Sequence, residues 1–299
     1  MSVYFNGFLG FKMSKQLIVK KDNALINASY TLTLAEQRLI LLAVAEAGGS
    51  PERLKDTAIH AHSYAKNFGV ADHTAYVALS NASDHLFERY FRYQKRTEKG
   101  NIEEVKSRWV QAVSYVKSEG TIKIKFADDV LPLLCELQTR FTAYNLESVS
   151  GLSSAYAIRL YELIVAWKTT GKTPEFLLED LRQKLGVLPS EYGRMADFKR
   201  RVLDNAVKQI NKHTDLKIKY EQHKAGRTIT GFTFYVAQEK PAITTESTRC
   251  DKTGELGLNE PLTPQQIGYY AKLLGQSSWA NHAKILQGVE SKDVFSVIM

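Results

Sequence analysis

Apolar positions along this chain switch from helical to alternating spacing, and they do so twice in the same order. Gln37-Arg38-Leu39-Ile40-Leu41-Leu42 lies in a helical pattern that ends near Gly48-Gly49. Thr33 or Thr31 can cap that helix, and Glu36 is placed to close a capping box with Thr33. A short helix pattern follows at Tyr64-Ala65-Lys66-Asn67-Phe68-Gly69-Val70, and after a polar break a second helix is predicted over Tyr76 to Tyr90. Arg89 to Gln94, Trp109 to Lys117 and Thr121 to Phe126 read as strands, the last two joined at Ser118-Glu119-Gly120. The order recurs downstream. Ile158-Arg159-Leu160-Tyr161-Glu162-Leu163 is the apolar helix, Leu181-Arg182-Gln183-Lys184-Leu185-Gly186-Val187 the short one, and Ala196 to His213 the longer one after it. Leu216 to His223 and Thr228 to Val236 complete the copy as a hairpin turning at Lys224-Ala225-Gly226.

Helix, helix-turn-helix, β-hairpin is the layout of a winged helix, whose second helix of the pair enters the DNA major groove. The expected fold class is therefore α+β, two tandem winged-helix domains with a short, partly flexible C-terminal tail. Ser148-Val149-Ser150-Gly151 marks the boundary, giving a first domain over residues 13–149 and a second over 150–240. Residues 241–299 are expected to be a Thr-, Ser-, Glu- and Gly-rich linker to about Pro261, then a small helix over Thr263 to His282 with Thr263 as cap and Pro264 at its first position. Leu17 to Ile26 reads as extended or turn, and Asp129 to Phe141 as a helix that buries Cys135.

A formal charge of +8 on 299 residues points to a polyanionic partner. Residues 241–299 are close to neutral, so the excess belongs to the repeated region. Cys135 and Cys250 show no metal-ligand spacing and suit a reducing compartment. No apolar run approaches the ~18 residues that span a bilayer. The first twelve residues lack the basic start of a signal peptide, and Met13 is an alternative first residue. A cytoplasmic protein without membrane contact or cofactor is the expectation.

Winding Ala196 to His213 as a helix gathers Phe198, Val202, Leu203, Ala206, Val207 and Ile210 on one side. Arg200, Arg201, Asp204, Lys208, Asn211 and Lys212 fall on the other, with Arg194 just before the helix and Lys199 snorkelling from its first turn. Such charge is ordinarily a solvated face. Behind a helix-turn-helix and before a hairpin tipped by Lys224 and Arg227, it becomes a candidate major-groove reader. The first copy turns Tyr76, Leu79, Ala82, Leu86 and Phe87 inward and presents His73, Thr74, Val77, Ser80, Asn81 and Asp84. Thr74, Ser80 and Asn81 are its candidate DNA contacts. Its cations sit on flanking strands at Arg89, Arg92, Lys95, Lys117, Lys123 and Lys125, of which Lys123 and Lys125 are the candidate backbone contacts. The first domain is thus expected to be the weaker reader and to contact protein as well.

Ile18-Val19-Lys20-Lys21-Asp22-Asn23-Ala24-Leu25-Ile26 with Tyr30-x-Leu32-x-x-x-Glu36-Gln37-Arg38-Leu39-Ile40 resembles the opening of iteron-binding plasmid replication initiators, the RepE- and RepA-like proteins. Phe198-Lys199-x-Arg201-Val202-Leu203-x-x-Ala206-Val207-x-x-Ile210-Asn211, with Thr230-Gly231-Phe232-x-Phe234, resembles their second winged helix. The likeness runs over roughly residues 17–238. It implies a non-enzymatic initiator that binds direct repeats in double-stranded origin DNA as a monomer, assists opening of an AT-rich segment, and brings in a host DnaA-type initiator and the replicative helicase. It also implies dimers, formed through the first domain, that bind an inverted operator and repress their own promoter.

Two alternatives stay open. A plasmid-borne transcriptional repressor without initiation activity would use the same fold. A rolling-circle-type nicking enzyme would need more than His60-Ala61-His62 and Tyr64, which run straight into the Ser63–Phe68 helix pattern. Thr169-Thr170-Gly171-Lys172-Thr173 echoes a phosphate-binding loop but lacks the earlier glycine, since Ala166 stands there. Asp128-Asp129 reads as a helix cap and Glu103-Glu104 as an exposed loop.

Overall fold

The computed structural model of the chain describes residues 16–135 and 141–238. Met13, Cys250, the linker from Pro241 and the helix expected over Thr263 to His282 lie outside the described residues.

Strand β1 (Ile18–Asp22) and the one-turn helix α1 (Asn23–Ile26) lead into α2 (Leu34–Ala47). The capping box forms as expected: Thr33 accepts from the Glu36 amide while Glu36 accepts from the Thr33 amide. Most side chains of α2 are buried, so this helix is the centre of the first domain's core. After α3 (Pro51–Lys55) come β2 (Asp56–His60) and the helix-turn-helix pair α4 (Ala61–Phe68) and α5 (Asp72–Glu88). Strands β3 (Tyr90–Arg96) and β4 (Ile102–Arg108) form a two-stranded hairpin, followed by β5 (Val110–Val116) and β6 (Thr121–Phe126). Helix α6 (Leu131–Leu134), β7 (Phe141–Asn145) and α7 (Glu147–Ser150) complete this part.

The second copy runs α8 (Ala155–Val165), β8 (Phe176–Leu177), α9 (Leu178–Leu185), α10 (Met195–Phe198), a π-helical stretch (Lys199–Asp204), α11 (Asn205–His213), β9 (Leu216–Ala225) and β10 (Thr228–Gln238). The two copies share a strand order that sequence pattern does not display. The first sheet is β2-β6-β5 and the second β8-β10-β9, so in each the short strand before the helix pair joins the last strand of the wing. The glycine of Thr230-Gly231-Phe232 is demanded by this junction: a Cβ on Gly231 would lie 2.6 Å from the Phe176 carbonyl oxygen.

Three expectations change. Of the apolar run expected to be a helix over Asp129 to Phe141, the described residues up to Cys135 form the four-residue α6, and Cys135 caps it in extended backbone. From Phe141 the chain pairs as β7 with β1, Ile18 opposite Asn145, a contact more than a hundred residues away in sequence. Burial of Cys135 holds, and it pushes the thiol up to about 11. Glu103 and Glu104 stand in strand β4, not in a loop; none of its residues is fully buried, and the strand shows no apolar alternation. Asp128 and Asp129 do not cap α6 but accept from Gln111 and Ser107.

Candidate nucleic-acid interface

In the second copy, residues 195–213 run on as one helix, α10 through the π-helical stretch to α11. Phe198, Val202, Leu203, Ala206 and Ile210 are buried and Val207 is half-buried, which seats the helix on its own domain. Arg200, Arg201, Lys208 and Lys212 are exposed on the other side, and Arg194 is exposed at the N-cap of α10. Arg200 and Arg201 fall on the π-helical stretch, a widened turn of the kind that recurs at functional sites. Their partner in the free chain is Asp197, 3.1 Å from Arg200 Nη2 and 3.9 Å from Arg201 Nε. Ion pairs this exposed are weak, so both guanidinium groups can be given up to an anionic ligand. The side chains of Lys208 and Lys212 make no hydrogen bond or ion pair among the described residues. Lys199 differs: its Nζ donates to Gln222 Oε1 at 3.0 Å and lies 5.9 Å from the Tyr220 ring centre, tying the helix to β9.

Other residues with no signal in the sequence hold this helix in place. Tyr220 on β9 donates to Asp204 at 2.6 Å; burial first and then that carboxylate raise its phenol above the ordinary value. Asn211, expected on the polar side, is half-buried and bonds both the amide and the carbonyl of Ile218. The turn between α9 and α10 is long, and Tyr192 within it has φ 48°, the one non-glycine residue with positive φ among those described. Arg182 clamps that turn by donating to the carbonyls of Glu191 at 2.6 Å and Tyr192 at 3.2 Å, while lying 5.0 Å from the Phe198 ring centre. Lys224 and Arg227 are exposed at the wing tip, which turns at Gly226 with φ 62°.

In the first copy α5 begins at Asp72, one turn before the expected Tyr76, and Ala75 joins its buried side. Thr74 and Asn81 are exposed and Ser80 is half-buried on its outer side. Phe87, expected inward, is 41% exposed. The helix ends there, and the ring is covered by the Arg108 guanidinium at 5.7 Å instead of by core. Lys123 and Lys125 are exposed on β6, the central strand, while Ile122, Ile124 and Phe126 face the core. Alternation puts these lysines on the sheet face away from the core that α5 helps to form. Thr74 and Asn81, seven residues apart, therefore share one side of α5 while Ser80 lies on its other flank, and Lys123 and Lys125 stand on a different face of the domain. Arg89 is committed internally, its Nε 3.2 Å from both oxygens of the buried Glu36.

His60 closes β2 with Nδ1 2.8 Å from Thr121 Oγ1, and His62 lies on α4, 3.4 Å from Asp72. Among the described residues no group of three or more His, Cys, Asp or Glu side chains could hold a metal ion. Thr169–Gly171 form a turn after α8 that leads to the Lys172 bridge with Tyr235, a setting unlike a strand-to-helix phosphate loop. Among the described residues no helix is long and apolar enough to cross a membrane.

Comparison with known proteins gives matches to both halves. Residues 18–165 match the family model described as Initiator Replication protein, WH1, and residues 177–236 match Initiator Rep protein, WH2. The chain is 27% identical over 234 residues to a replication initiation protein of Escherichia coli, covering 75% of this chain and 71% of that one. It is also 27% identical over 154 residues to the PI protein of Escherichia coli, covering 46% and 50% of the two chains. The crystal structure of the Pi initiator protein in complex with iteron DNA superposes with a TM-score of 0.61 at 23% identity, over 76% of this chain and 99% of that one, a likeness of fold.

Proposed function

Because the chain belongs to the initiator replication protein family, we propose that it is a plasmid replication initiator that binds iterons, the directly repeated sites of an origin, in double-stranded DNA. The observation that carries this reading is the helix 195–213, with Arg200, Arg201, Lys208 and Lys212 exposed opposite a buried apolar side. It is supported by the fold shared with a protein whose structure was determined on iteron DNA. Arg194 and the wing residues Lys224 and Arg227 add phosphate contacts around that helix, and Lys199 contributes through its hold on β9. Thr74, Ser80 and Asn81 supply the first domain's weaker contact.

In this reading the first domain, residues 13–149, contacts DNA backbone and forms the dimer, and the second, 150–240, is the main sequence reader. The dimer role is supported by the β3–β4 hairpin, whose outer strand pairs with no further strand among the described residues and whose Ile102 is 65% exposed. As a monomer the chain binds iterons, helps open the origin and engages a host DnaA-type initiator and the replicative helicase. As a dimer it represses its own promoter. The protein works in the cytoplasm, without cofactor and without cleaving DNA.

The test is a plasmid carrying this gene with its adjoining direct repeats and AT-rich stretch and no other origin. It should replicate, and Arg200→Ala with Arg201→Ala should abolish replication. Repeat binding without any replication would favour the repressor reading. Cleavage of single-stranded origin DNA on adding a divalent metal would favour the nicking enzyme.

A further inference from the structure

Helix α8 belongs by packing to the second copy, against α9 and α11, yet its two buried charges face the first. Glu162 accepts from Lys21 Nζ at 2.6 Å and from the Tyr144 hydroxyl at 2.6 Å, both from the β1–β7 ribbon, and pairs with Arg159 at 2.8 Å. Arg159 donates to the Ile26 and Ala28 carbonyls at 3.0 Å and to the Tyr30 hydroxyl at 2.6 Å. Its Nε also donates to the Lys184 carbonyl at 3.0 Å, at the end of α9. One guanidinium thus pins the first domain's backbone to the first helix of the second domain's helix-turn-helix. Two residues on, Gly186 sits with φ 77° so close to the first domain that a Cβ there would lie 2.5 Å from the Tyr30 carbonyl oxygen. Thr31 Oγ1 donates to the Gly186 carbonyl at 3.2 Å in the same contact.

Buried charges of this kind allow few arrangements, because any shift leaves an ion without its partner. We propose that this joint, pinned by Arg159 and closed by Gly186 against Tyr30, is a spacing gauge that fixes how many base pairs separate the two blocks of sequence read by the two domains. The inference rests on the reading that both winged helices engage one site. Adding one base pair between the blocks moves the second by about 3.4 Å and turns it by roughly a tenth of a helical turn. Accommodating that step would require the domains to part. The close contact at Gly186 and the Arg159 pin forbid it in the wild-type chain. A methyl group at Gly186 acts as a wedge, since it needs roughly 1 Å more than the present approach leaves.

The test selects binding sites from a random pool of duplex DNA with the full chain and with Gly186→Ala. The wild type should return two blocks at one spacing, and insertion of one base pair between them should cost at least about tenfold in affinity, the worth of one bidentate base contact. Gly186→Ala should return the same two blocks at altered or mixed spacings, with the penalty for insertion falling below about threefold. General destabilisation would weaken all sites alike and leave the spacing unchanged. If Gly186→Ala fails to fold by circular dichroism, Thr31→Val and Tyr30→Phe replace it, and both should reduce the insertion penalty. A wild-type selection that yields one block overturns the two-domain reading itself. Two blocks whose fixed spacing survives in the folded variants overturn the gauge.

Discussion

Arg200 and Arg201 occupy the widened turn of the helix 195–213, with Asp197 as their one partner among the described residues. Replacing both by Ala should cost roughly 1–3 kcal/mol for each arginine that pairs with a base edge through two hydrogen bonds, and should relax sequence preference, as competition against mutated repeats would show. Unchanged affinity for the cognate repeat would remove residues 195–213 from the role of reader. Glu162 is a buried carboxylate held between two buried cations, Lys21 and Arg159. Burial works to raise its carboxyl, but Lys21 and Arg159 outweigh burial and hold it down at about 2. A folded value below the unfolded one means that the stabilisation is fully present above about pH 4.5 and is lost as pH falls toward 2. Glu162→Ala should cost about 3–5 kcal/mol near neutral pH, because Lys21 and Arg159 stay buried without their counter-ion. Urea melts of the variant should also lose the wild type's weakening over that acid range. A variant as stable as wild type would mean that water reaches the site.

Single elements differ in how far their sequence announces them. α2, α8 and the helix 195–213 bury long apolar sides and were legible from spacing, as were the β5–β6 and β9–β10 hairpins. The strand β4 was not, because a strand with no fully buried residue needs no apolar alternation, and β8 is two residues long. Lys208 and Lys212 share one side of α11, while Lys123 and Lys125 stand on the outer face of their sheet. Changing Lys208 and Lys212 to Ala should flatten log affinity against log salt by up to about 1.8, at ~0.9 per phosphate contact. The same change at Lys123 and Lys125 should flatten it less and weaken all sequences evenly. A larger effect from the Lys123 and Lys125 pair would place the outer sheet face on DNA.

A cut before α8 separates Arg159 and Glu162 from Lys21, Tyr30 and Tyr144. A fragment from Ser150 to Lys240 should be monomeric and keep sequence preference with weaker binding, but it should also melt well below the full chain. Arg159→Leu with Glu162→Met should stabilise that fragment and destabilise the full chain, since the charges help only where their partners are present. A fragment from Met13 to Val149 should self-associate and discriminate poorly between sequences. Sedimentation, gel shifts and thermal melts on the two pieces test all of this. A dimeric second fragment, or a first fragment that alone selects the repeat, would reverse the division of labour.

The chain by itself determined the doubled winged-helix order, the capping box at Thr33 and the apolar and basic sides of residues 195–213. Each is written in spacing within a few turns of helix or one hairpin, where neighbours in sequence are neighbours in space. Tertiary structure alone decided the rest. Lys21 and Glu162 meet across 141 positions, β7 leaves a helical pattern to pair with β1, and Gly186 closes on Tyr30 from the other domain. None of these contacts repeats with any period. A lysine or glutamate that ends up buried looks, in sequence, like one that remains in water, and only the packing around it separates the two.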